Sequence, residues 1–317
     1  MAIAAYYLAK HEEAEEEKVY RVGILCGLDY IVDIIDSFKE GMAGLGYVEG
    51  ENIVYDVQRT NFEPDKEKQI LEKFVKERVD LIFTFPTEVS MLAKEATLGT
   101  NIPVVFSFAN IEDTGLVDSV SQPGGNITGV RYPGPDLAVQ RFEILQELAP
   151  EVKKILVPFQ RGYPIVNSQL EVLRQAADQR GITLIELAAD NAAELEAELA
   201  KLNNAGIEAV LFLAEPLVVT EDAFLVIARF ASENRLPIGG ALMLVDGYES
   251  LFGVNVDLSS TGWQAAALAN KIFNGFEAGS IPVVSSEPFF QLNYKEAQNL
   301  GLKVSEGLLS RTDEIIR

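Results

Sequence analysis

The sequence predicts an α/β protein of two successive lobes, each with a parallel sheet flanked by helices, hinged around a central cleft. Short apolar runs rich in β-branched residues alternate with amphipathic helical segments along both halves of the 317-residue chain. A segment rich in chain breakers, Gln122-Pro-Gly-Gly-Asn-Ile-Thr-Gly129, separates the halves. Neither half shows a catalytic cluster, so the layout favours binding a ligand over transforming one.

The first half alternates strands and helices in the order expected for a parallel sheet. Strands are predicted from β-branched and aliphatic content at residues 19–25, 52–58, 81–85 and 103–108. The first helix carries apolar residues at helical spacing, from Ile31 to Met42, and ends at Gly44-Leu-Gly46. Two further helices begin at Pro64 and at Thr87.

The second half repeats the alternation. Strands are predicted at residues 154–158, 183–187, 209–213, 237–239, 252–256 and 287–292, and helices at 168–180, 192–203, 222–234 and 258–273. The strand at 252–256 is interpreted as a crossover between the lobes. We therefore assign residues 19–130 and about 256–317 to lobe 1, and about 131–255 to lobe 2.

Composition excludes several classes of function. A formal net charge of −22 argues against nucleic-acid binding, which needs a basic surface, and against adsorption to anionic lipid. The chain has one cysteine, Cys26, and one histidine, His11, so an internal disulfide and a Cys/His metal site are excluded by count. We expect no enzyme activity, no metal and no cofactor.

The first 18 residues form an apolar stretch, Met1 to Ala9, followed by a charged spacer. The apolar stretch is shorter than the roughly 20 residues that span a bilayer. It is either the remnant of a signal peptide or membrane anchor, or a short helical extension without a targeting role. We favour the first, which predicts an extracytoplasmic protein tethered to the membrane as a lipoprotein or through another anchor.

Candidate ligand-binding residues follow from topology, because open parallel sheets bind ligands outside the carboxyl ends of their strands. This rule selects Cys26, Asp29, Tyr30, Thr87, Glu88, Ser107, Phe108 and Asn110 in the first half, and Arg161, Tyr163, Glu215, Asn255 and Asp257 in the second half and the crossover. Ser168, with Asn167 before it, stands at a predicted helix start.

Several stretches in order resemble one family. They are Ser37-Phe-Lys-Glu-Gly-Met-Ala-Gly-Leu-Gly-Tyr-Val-Glu-Gly-Glu-Asn52, Gly115-Leu-Val-Asp-Ser119 with Gln122-Pro-Gly-Gly-Asn-Ile-Thr-Gly129, Leu300-Gly-Leu302, and Leu308-Leu-Ser-Arg-Thr-Asp-Glu-Ile315. The chain resembles ABC-transporter substrate-binding proteins that include tryptophan- and tyrosine-type binders. The resemblance implies the type I periplasmic-binding-protein fold of two Rossmann-like lobes.

The resemblance also implies a function. A small molecule, an aromatic amino acid in the better-understood members, would be held between the lobes and delivered to an ABC permease, and we expect a monomer. A ligand-sensing domain of the same fold that signals to a membrane partner is the alternative. The chain departs from the family pattern at Asn110, where a carboxylate is usual, and after residue 158, while the pair Asn167-Ser168 fits it.

Each candidate has a predicted role in ligand binding and a simpler alternative that involves no ligand. Thr87 and Ser168 would bind a carboxylate at helix N-termini or only cap the helices. Asp257 and Glu215 would pair with an ammonium group, or act as a helix cap and a solvated loop charge respectively.

The remaining candidates are treated in the same way. Arg161 would bind an acidic ligand or bridge the lobes, and Asp29 is a weaker candidate that also fits a solvent-facing position. Tyr30, Phe108 and Tyr163 would line an aromatic slot, although Phe108 also fits the core. Cys26 fits a small buried apolar position.

Overall fold

The computed structural model describes residues 18–28, 32–202 and 206–317. In chain order its strands are β1 Tyr20–Cys26, β2 Ile53–Arg59, β3 Leu81–Phe85, β4 Val104–Ala109, β5 Ile127–Arg131, β6 Lys154–Gln160, β7 Thr183–Ala189, β8 Ala209–Leu211, β9 Ile238–Gly240, β10 Leu244–Val245, β11 Tyr248–Glu249, β12 Phe252–Val256, β13 Val284–Ser285, β14 Pro288–Asn293 and β15 Glu314–Ile316. Its helices are α1 Asp33–Gly44, α2 Pro64–Glu77, α3 Thr87–Ala96, α4 Gly134–Leu148, α5 Val166–Gln179, α6 Ala192–Leu202, α7 Glu221–Asn234, α8 Leu258–Phe273, α9 Tyr294–Asn299 and α10 Glu306–Leu309.

The chain forms two compact units, each built from separate stretches of sequence. Unit 1 contains the described part of Met1–Ala109, together with Leu116–Arg131 and Leu258–Ser285. Unit 2 contains Asn110–Gly115, Tyr132–Asp257 and Ser286–Arg317.

Unit 1 is built on a parallel sheet with the strand order β13-β5-β4-β3-β1-β2. Strand β3 is buried along its whole length, which explains its continuous apolar sequence. On one face, Phe38 of α1 stacks on Phe83 of β3 with a ring-centroid distance of 4.3 Å. Helices α2 and α3 follow β2 and β3, so the sheet is covered by the crossover helices that parallel strands require.

Unit 2 has the strand order β15-β14-β12-β9-β8-β6-β7. Its strands pair in parallel except for β12 and β14, which are antiparallel, and β10 and β11 form a separate hairpin. Its core joins strand residues such as Val210 to the inner face of α7, where Phe224 and Ile227 are fully buried. The α/β class, with a parallel sheet flanked by helices, is thus confirmed in each unit.

The structure corrects the interpretation of the middle of the chain. Residues 127–129, predicted as part of the breaker-rich joint, belong to β5, where Thr128 Oγ1 donates a hydrogen bond to Ile281 O at 2.8 Å. Gly124 and Gly125 before this strand have φ angles of 78° and 54°, which accounts for the breaker composition. Helix α4, which follows β5, was missed from the sequence.

The structure also corrects the lobe assignment of the carboxyl-terminal region. Residues 286–317, assigned to lobe 1 from the sequence, belong to unit 2, as do residues 110–115 and 256–257. The physical reason is strand pairing, because β14 pairs with β12 and β15 pairs with β14. Of the region from residue 256 onward, Leu258–Ser285 lies in unit 1.

The predicted targeting segment, including His11, lies outside the described residues. In the part of the chain that the structure describes, no helix has both the length and the apolar character needed to cross a membrane.

Candidate functional site

The carboxyl ends of β1, β3 and β4 lie at one edge of the unit 1 sheet, because these strands are parallel neighbours. The candidates Cys26, Thr87, Glu88, Ser107 and Phe108 follow or end these strands. Asp29 and Tyr30, predicted at the same edge, lie outside the described residues.

Cys26 is the last residue of β1. It is fully buried, and its Sγ lies 2.8 Å from Leu28 O in the geometry of a donated hydrogen bond. Its carbonyl oxygen accepts a hydrogen bond from Thr60 N at 2.9 Å. The thiol therefore has a hydrogen-bond acceptor within its own chain, in keeping with the alternative that Cys26 is a small buried apolar residue.

The end of β4 has irregular backbone geometry. The pairing of β4 with β5 shifts register between Phe106 and Ala109, and the half-buried Phe108 has a φ of 48°. A left-handed conformation is rare for an aromatic residue and is typical of functional positions. Ser107 is fully buried, and its hydroxyl has no hydrogen-bond partner among the described residues. An irregular strand end with an unsatisfied hydroxyl favours ligand contact here.

Helix α3 begins directly after β3, so its amino terminus lies at the same edge. Thr87 and Glu88 form the start of its first turn and are half-buried. The residue that precedes the helix, Pro86, provides no side-chain cap. Backbone N–H groups and the helix dipole make this terminus suitable for an anionic group.

A buried carboxylate, missed from the sequence, lies near the end of β1. Glu67, in the first turn of α2, is 1% exposed, and its Oε1 accepts a hydrogen bond from Thr60 Oγ1 at 2.6 Å. A Cβ atom on Gly27 would lie 3.5 Å from this oxygen and 2.6 Å from Val89 Cγ2. Val89 thus fills the position that a side chain at residue 27 would occupy beside the carboxylate.

Asn110 is a buried polar residue of unit 2 and is 6% exposed. A Cβ atom on Gly134, the first residue of α4, would lie 2.6 Å from Asn110 Oδ1. The amide therefore packs against the start of α4. The position at which a carboxylate is usual in the resembling family carries here an uncharged group in a confined setting.

Glu215 follows β8 and is 6% exposed, so the alternative of a solvated loop charge is wrong. Its carboxylate accepts hydrogen bonds from Leu217 N at 2.8 Å and Val218 N at 3.1 Å. Burial raises the pKa of Glu215, and hydrogen bonds from the backbone of Leu217, Val218 and Gln160 oppose this shift. The carboxylate is thus held in a fixed orientation.

Gln169, which the sequence analysis missed, clamps the end of β8 to α5. Its side chain is fully buried, and its Nε2 donates to Ile165 O at 3.1 Å and to Ala214 O at 3.0 Å. Its Oε1 accepts from Ala214 N at 2.9 Å. The two bonds to Ala214 fix the backbone immediately before Glu215, and the third anchors the side chain to Ile165, just before α5.

Arg141, also missed, is a buried cation on α4. It is 2% exposed, and its guanidinium donates to Val254 O at 2.5 and 2.8 Å, to Phe212 O at 3.2 Å and to Tyr132 Oη at 3.3 Å. Burial lowers the pKa of Arg141 from its ordinary value. No carboxylate among the described residues forms an ion pair with it.

Arg161 is exposed, unlike the buried polar residues described above. Its side chain is 49% exposed, and its guanidinium contacts Asp190 Oδ2 at 2.9 Å and Glu194 Oε1 at 2.5 Å. It also donates to Ala188 O at 3.0 Å, so its N–H groups contact residues at the end of β7 and the start of α6. The hydrogen bond with Glu194 raises the pKa of Arg161. The structure favours a local role over ligand contact.

Three candidates lie around the start of α5, which begins at Val166 and not at residue 168 as predicted. Ser168 is therefore inside the first turn, where its Oγ donates to Ile165 O at 3.2 Å, and it is not the capping residue. Tyr163 is half-buried and Asn167 is exposed.

Asn255 and Asp257 stand at the end of β12 and belong to unit 2. Asn255 is exposed, and its Oδ1 accepts a hydrogen bond from Val256 N at 2.9 Å. Asp257 is half-buried and immediately precedes α8, and its backbone N–H donates to Glu287 O at 2.9 Å. Asp257 thus remains at a helix start, as predicted.

A comparison with protein families decides the class of the protein. The model of the family described as ABC transporter substrate binding protein matches residues 24–316. The chain belongs to the ABC transporter substrate-binding protein family. The resemblance found in the sequence motifs is confirmed. The family is one of transport proteins, which bind a small molecule outside the cytoplasm and work with an ABC permease.

Individual relatives of this substrate-binding protein agree with the family assignment. A tyrosine-binding protein of Clostridioides difficile (strain R20291) is 25% identical over 284 residues, covering 87% of this chain and 79% of that protein. Among solved structures, the ABC domain in complex with L-Trp from Streptococcus pneumonia has a TM-score of 0.77 at 20% identity, covering 94% of this chain and 100% of that one.

A second solved structure shares the fold. The ligand-free, open form of a substrate-binding protein with adhesive properties from Clostridium difficile has a TM-score of 0.78 at 22% identity, covering 94% of this chain and 99% of that one. The type I periplasmic-binding-protein fold predicted for the substrate-binding protein is thus confirmed.

The buried carboxylate of Glu215 predicts a pH dependence of stability. Because its pKa is raised in the folded protein, the folded state binds the proton more tightly than the unfolded state. Its stabilising contribution is therefore complete below the unfolded pKa, about 4.3, and is lost as the pH rises through the folded pKa. Measured by urea unfolding from pH 4 upward, the free energy of unfolding of the wild type should fall relative to that of Glu215→Gln.

Glu249→Gln is the matched control. The hydrogen bond from Lys295 lowers the pKa of Glu249, so the wild-type advantage over this variant should be lost as the pH falls. A wild-type advantage over Glu215→Gln that is constant, or that grows with pH, would contradict the assignment.

Proposed function

We propose that this substrate-binding protein binds an amino acid, with a preference for an aromatic side chain, and delivers it to an ABC permease. We further propose that it works as a monomer tethered to the membrane through its N-terminal segment. Each unit has candidate contacts for the ligand at the carboxyl edge of its own sheet.

The observation that carries the proposal is the geometry of Phe108. This aromatic residue stands half-buried at the end of β4 in a left-handed conformation, directly after the unsatisfied hydroxyl of Ser107. A polar group beside a partly accessible ring suits a ligand that combines charged and aromatic parts. Tyr163 offers a second half-buried ring at the edge of unit 2.

Two helix starts could bind the ligand's carboxylate. Thr87 and Glu88 lie in the first turn of α3, and Asn167 and Ser168 lie in the first turn of α5. Backbone N–H groups in a first turn attract anions at little cost in desolvation, because they have no acceptor within the helix. We assign the carboxylate to α3, where the flanking residues are half-buried.

Glu215 and Asp257 are the proposed partners of the ligand's ammonium group in unit 2. Backbone N–H groups of Leu217, Val218 and Gln160 hydrogen-bond the carboxylate of Glu215, and an ionised carboxylate has about four acceptor positions in total. It therefore retains capacity for a charged donor. Asn110, which is buried, could accept a further hydrogen bond in the same unit.

The relatives support the choice of ligand class. One is named a tyrosine-binding protein and another was solved in complex with L-Trp. Both ligands carry a carboxylate, an ammonium group and an aromatic ring, which are the groups that the residues above could recognise.

Thermal unfolding in the presence of a ligand panel tests the proposal. L-tyrosine, L-tryptophan or L-phenylalanine at a hundredfold excess over its dissociation constant should stabilise the protein by about 2.7 kcal/mol. Purines and small organic acids should give no shift. A shift with one of those other classes, and none with any amino acid, would discard the proposed ligand while leaving the family assignment intact.

Arg161 should be dispensable for binding, because its guanidinium is committed to Asp190, Glu194 and the carbonyl of Ala188. We expect Arg161→Met to change the dissociation constant of L-tyrosine by less than about twofold, measured by isothermal titration calorimetry. Arg174→Met, which removes another arginine bound to a carboxylate in unit 2, is the control. A tenfold loss of affinity in Arg161→Met alone, on the order of 1.4 kcal/mol, would restore the original prediction of ligand contact.

A further inference from the structure

The two central strands of the unit 2 sheet end before their outer neighbours. Strand β8 ends at Leu211 and β9 at Gly240, whereas β6 continues to Gln160 and β12 to Val256. The pairing of β12 with β9 stops at Gly253. The carboxyl edge of this sheet therefore has a gap between β6 and β12, where neither central strand continues. Buried backbone groups at such a gap need partners other than a neighbouring strand.

Arg141 of α4 supplies hydrogen-bond donors at this gap. Its Nε donates to Val254 O at 2.8 Å, and its Nη1 donates to Phe212 O at 3.2 Å. Val254 is the first residue of β12 beyond the pairing with β9, and Phe212 is the first residue after β8. One planar guanidinium thus ties the ends of β8 and β12 together, at the point where the strand between them stops.

The guanidinium is enclosed by protein. Arg141 is 2% exposed, and its Nη2 also lies 3.3 Å from Tyr132 Oη. Glycine at position 240 permits the arrangement, because a Cβ atom there would overlap the carbonyl oxygen of Phe212 that Arg141 binds. A cation enclosed in this way can act on a ligand only through the backbone that it holds.

Each backbone carbonyl bound by Arg141 stands three residues before a proposed partner of the ligand's ammonium group. Phe212 comes three residues before Glu215, and Val254 comes three residues before Asp257. A short segment whose first residue is fixed has few conformations available to the carboxylate at its other end. The hydrogen bonds of Arg141 therefore restrict where both carboxylates can lie.

We propose that Arg141 is a positioning residue for ligand binding, which holds the ends of β8 and β12 so that Glu215 and Asp257 are pre-organised for an ammonium group. This inference rests on the proposed function, since it concerns the ammonium partners of an amino acid. Pre-organisation raises affinity, because the protein does not have to order these segments when the ligand binds.

The test compares amino acids with analogues that lack the amine. Isothermal titration calorimetry would use L-tyrosine and L-tryptophan beside 3-(4-hydroxyphenyl)propionate and 3-(indol-3-yl)propionate, which are the same molecules without the amino group. Arg141→Met removes the donors. Arg141→Lys keeps a positive charge without the planar fork that bridges two carbonyls, and it provides a second variant if Arg141→Met fails to fold.

Leu199→Ala is the control for a general loss of stability. Leu199 is a buried residue of α6 in the same unit, and its truncation destabilises the protein without removing a hydrogen bond. All variants are measured at a temperature at which circular dichroism shows them to be folded.

We expect Arg141→Met to weaken both amino acids by about 10- to 100-fold and Arg141→Lys by about 5- to 20-fold. Either propionate should change by less than about threefold, and Leu199→Ala should bind all four compounds like the wild type. In hydrogen–deuterium exchange of the unliganded protein, peptides that cover residues 213–218 and 254–257 should exchange faster in both Arg141 variants than in Leu199→Ala.

Other results would overturn the inference. If both Arg141 variants bind the amino acids like the wild type, Arg141 has only a structural role while the proposed function stands. If amino acids and propionates weaken together, or if exchange over 213–218 matches that of Leu199→Ala, Arg141 does not position the ammonium partners. If the wild type binds neither amino acid, the proposed function fails and this inference fails with it.

Discussion

Replacement of Arg141 by methionine is expected to destabilise the protein by about 2–4 kcal/mol. Arg141 donates to Val254 O, Phe212 O and Tyr132 Oη from a site that is 2% exposed. Methionine fills similar space but donates nothing, so two backbone carbonyl oxygens lose their donor in a buried setting. Each unsatisfied group costs about 1–3 kcal/mol, and relief from burying the charge offsets part of the sum.

The measurement is urea unfolding followed by circular dichroism, with Arg174→Met as the control. Arg174 lies in the same unit and forms two hydrogen bonds to Glu186, at 2.6 and 2.7 Å, but its side chain is 52% exposed. Its loss should cost less than about 1 kcal/mol, as for other exposed ion pairs. Equal stability of Arg141→Met and wild type would show that the buried cation contributes no net stabilisation.

Substitution of Gly240 by alanine should destabilise the protein by about 3–5 kcal/mol. Gly240 ends β9 with a φ of 112°, a conformation that side chains other than glycine rarely adopt. A Cβ atom there would overlap the carbonyl oxygen of Phe212 and lie 2.9 Å from its amide nitrogen. Both obstacles are backbone atoms, which cannot rotate away, and the same carbonyl accepts a hydrogen bond from Arg141.

The loss at Gly240 has two causes, the strain of a positive φ angle and the close approach of Cβ to the backbone of Phe212. Gly247→Ala separates them. Gly247 has a φ of 81°, but a Cβ atom there would meet nothing within 4 Å. It should cost about 1 kcal/mol, the strain of the backbone conformation alone. The same urea titration applies to both variants, and similar losses at the two positions would show that the close approach to Phe212 is not the main cost.

The elements that could be predicted from the sequence are those marked by a local pattern of apolar residues. The run at residues 81–85 is apolar because β3 is buried along its length, and the periodic apolar residues of α1 mark the face that packs on the sheet. Helix α4 was missed because its apolar periodicity is interrupted by Arg141, which lies four residues after Leu137 and four before Leu145. A charged residue on an apolar stripe was the available signal for a buried polar site.

A polar residue on an apolar helix face was also the available signal for Gln169 and Glu67. Gln169 lies between Val166 and Leu173 on the buried face of α5, and Glu67 precedes Leu71 on that of α2. The partners of these side chains, such as Ala214 and Thr60, are remote in sequence or on another element. No local pattern could therefore show what they bind.

Some site residues interact with partners far away in the sequence, and the roles of these residues could not be predicted from the sequence. Arg161 was selected because it follows a strand, but Glu194 lies 33 positions further along the chain and occupies its guanidinium. For Glu215 the sequence left a solvated loop charge open as the alternative to ligand contact, and the turn that follows it buries the carboxylate against backbone N–H groups. By contrast, Phe108 and Ser107 were selected by topology and do lie at a strained strand end.

Hydrogen–deuterium exchange with and without L-tyrosine and L-tryptophan tests most directly whether the carboxyl edges of both sheets hold the ligand. We expect slower exchange in peptides that cover residues 26–28, 86–90 and 107–110, and in those that cover 160–169 and 213–218. Peptides over 140–147 and 306–311, which include residues that line a polar surface groove of unit 2, should exchange unchanged. Protection confined to that groove, or no protection with either amino acid, would contradict the account.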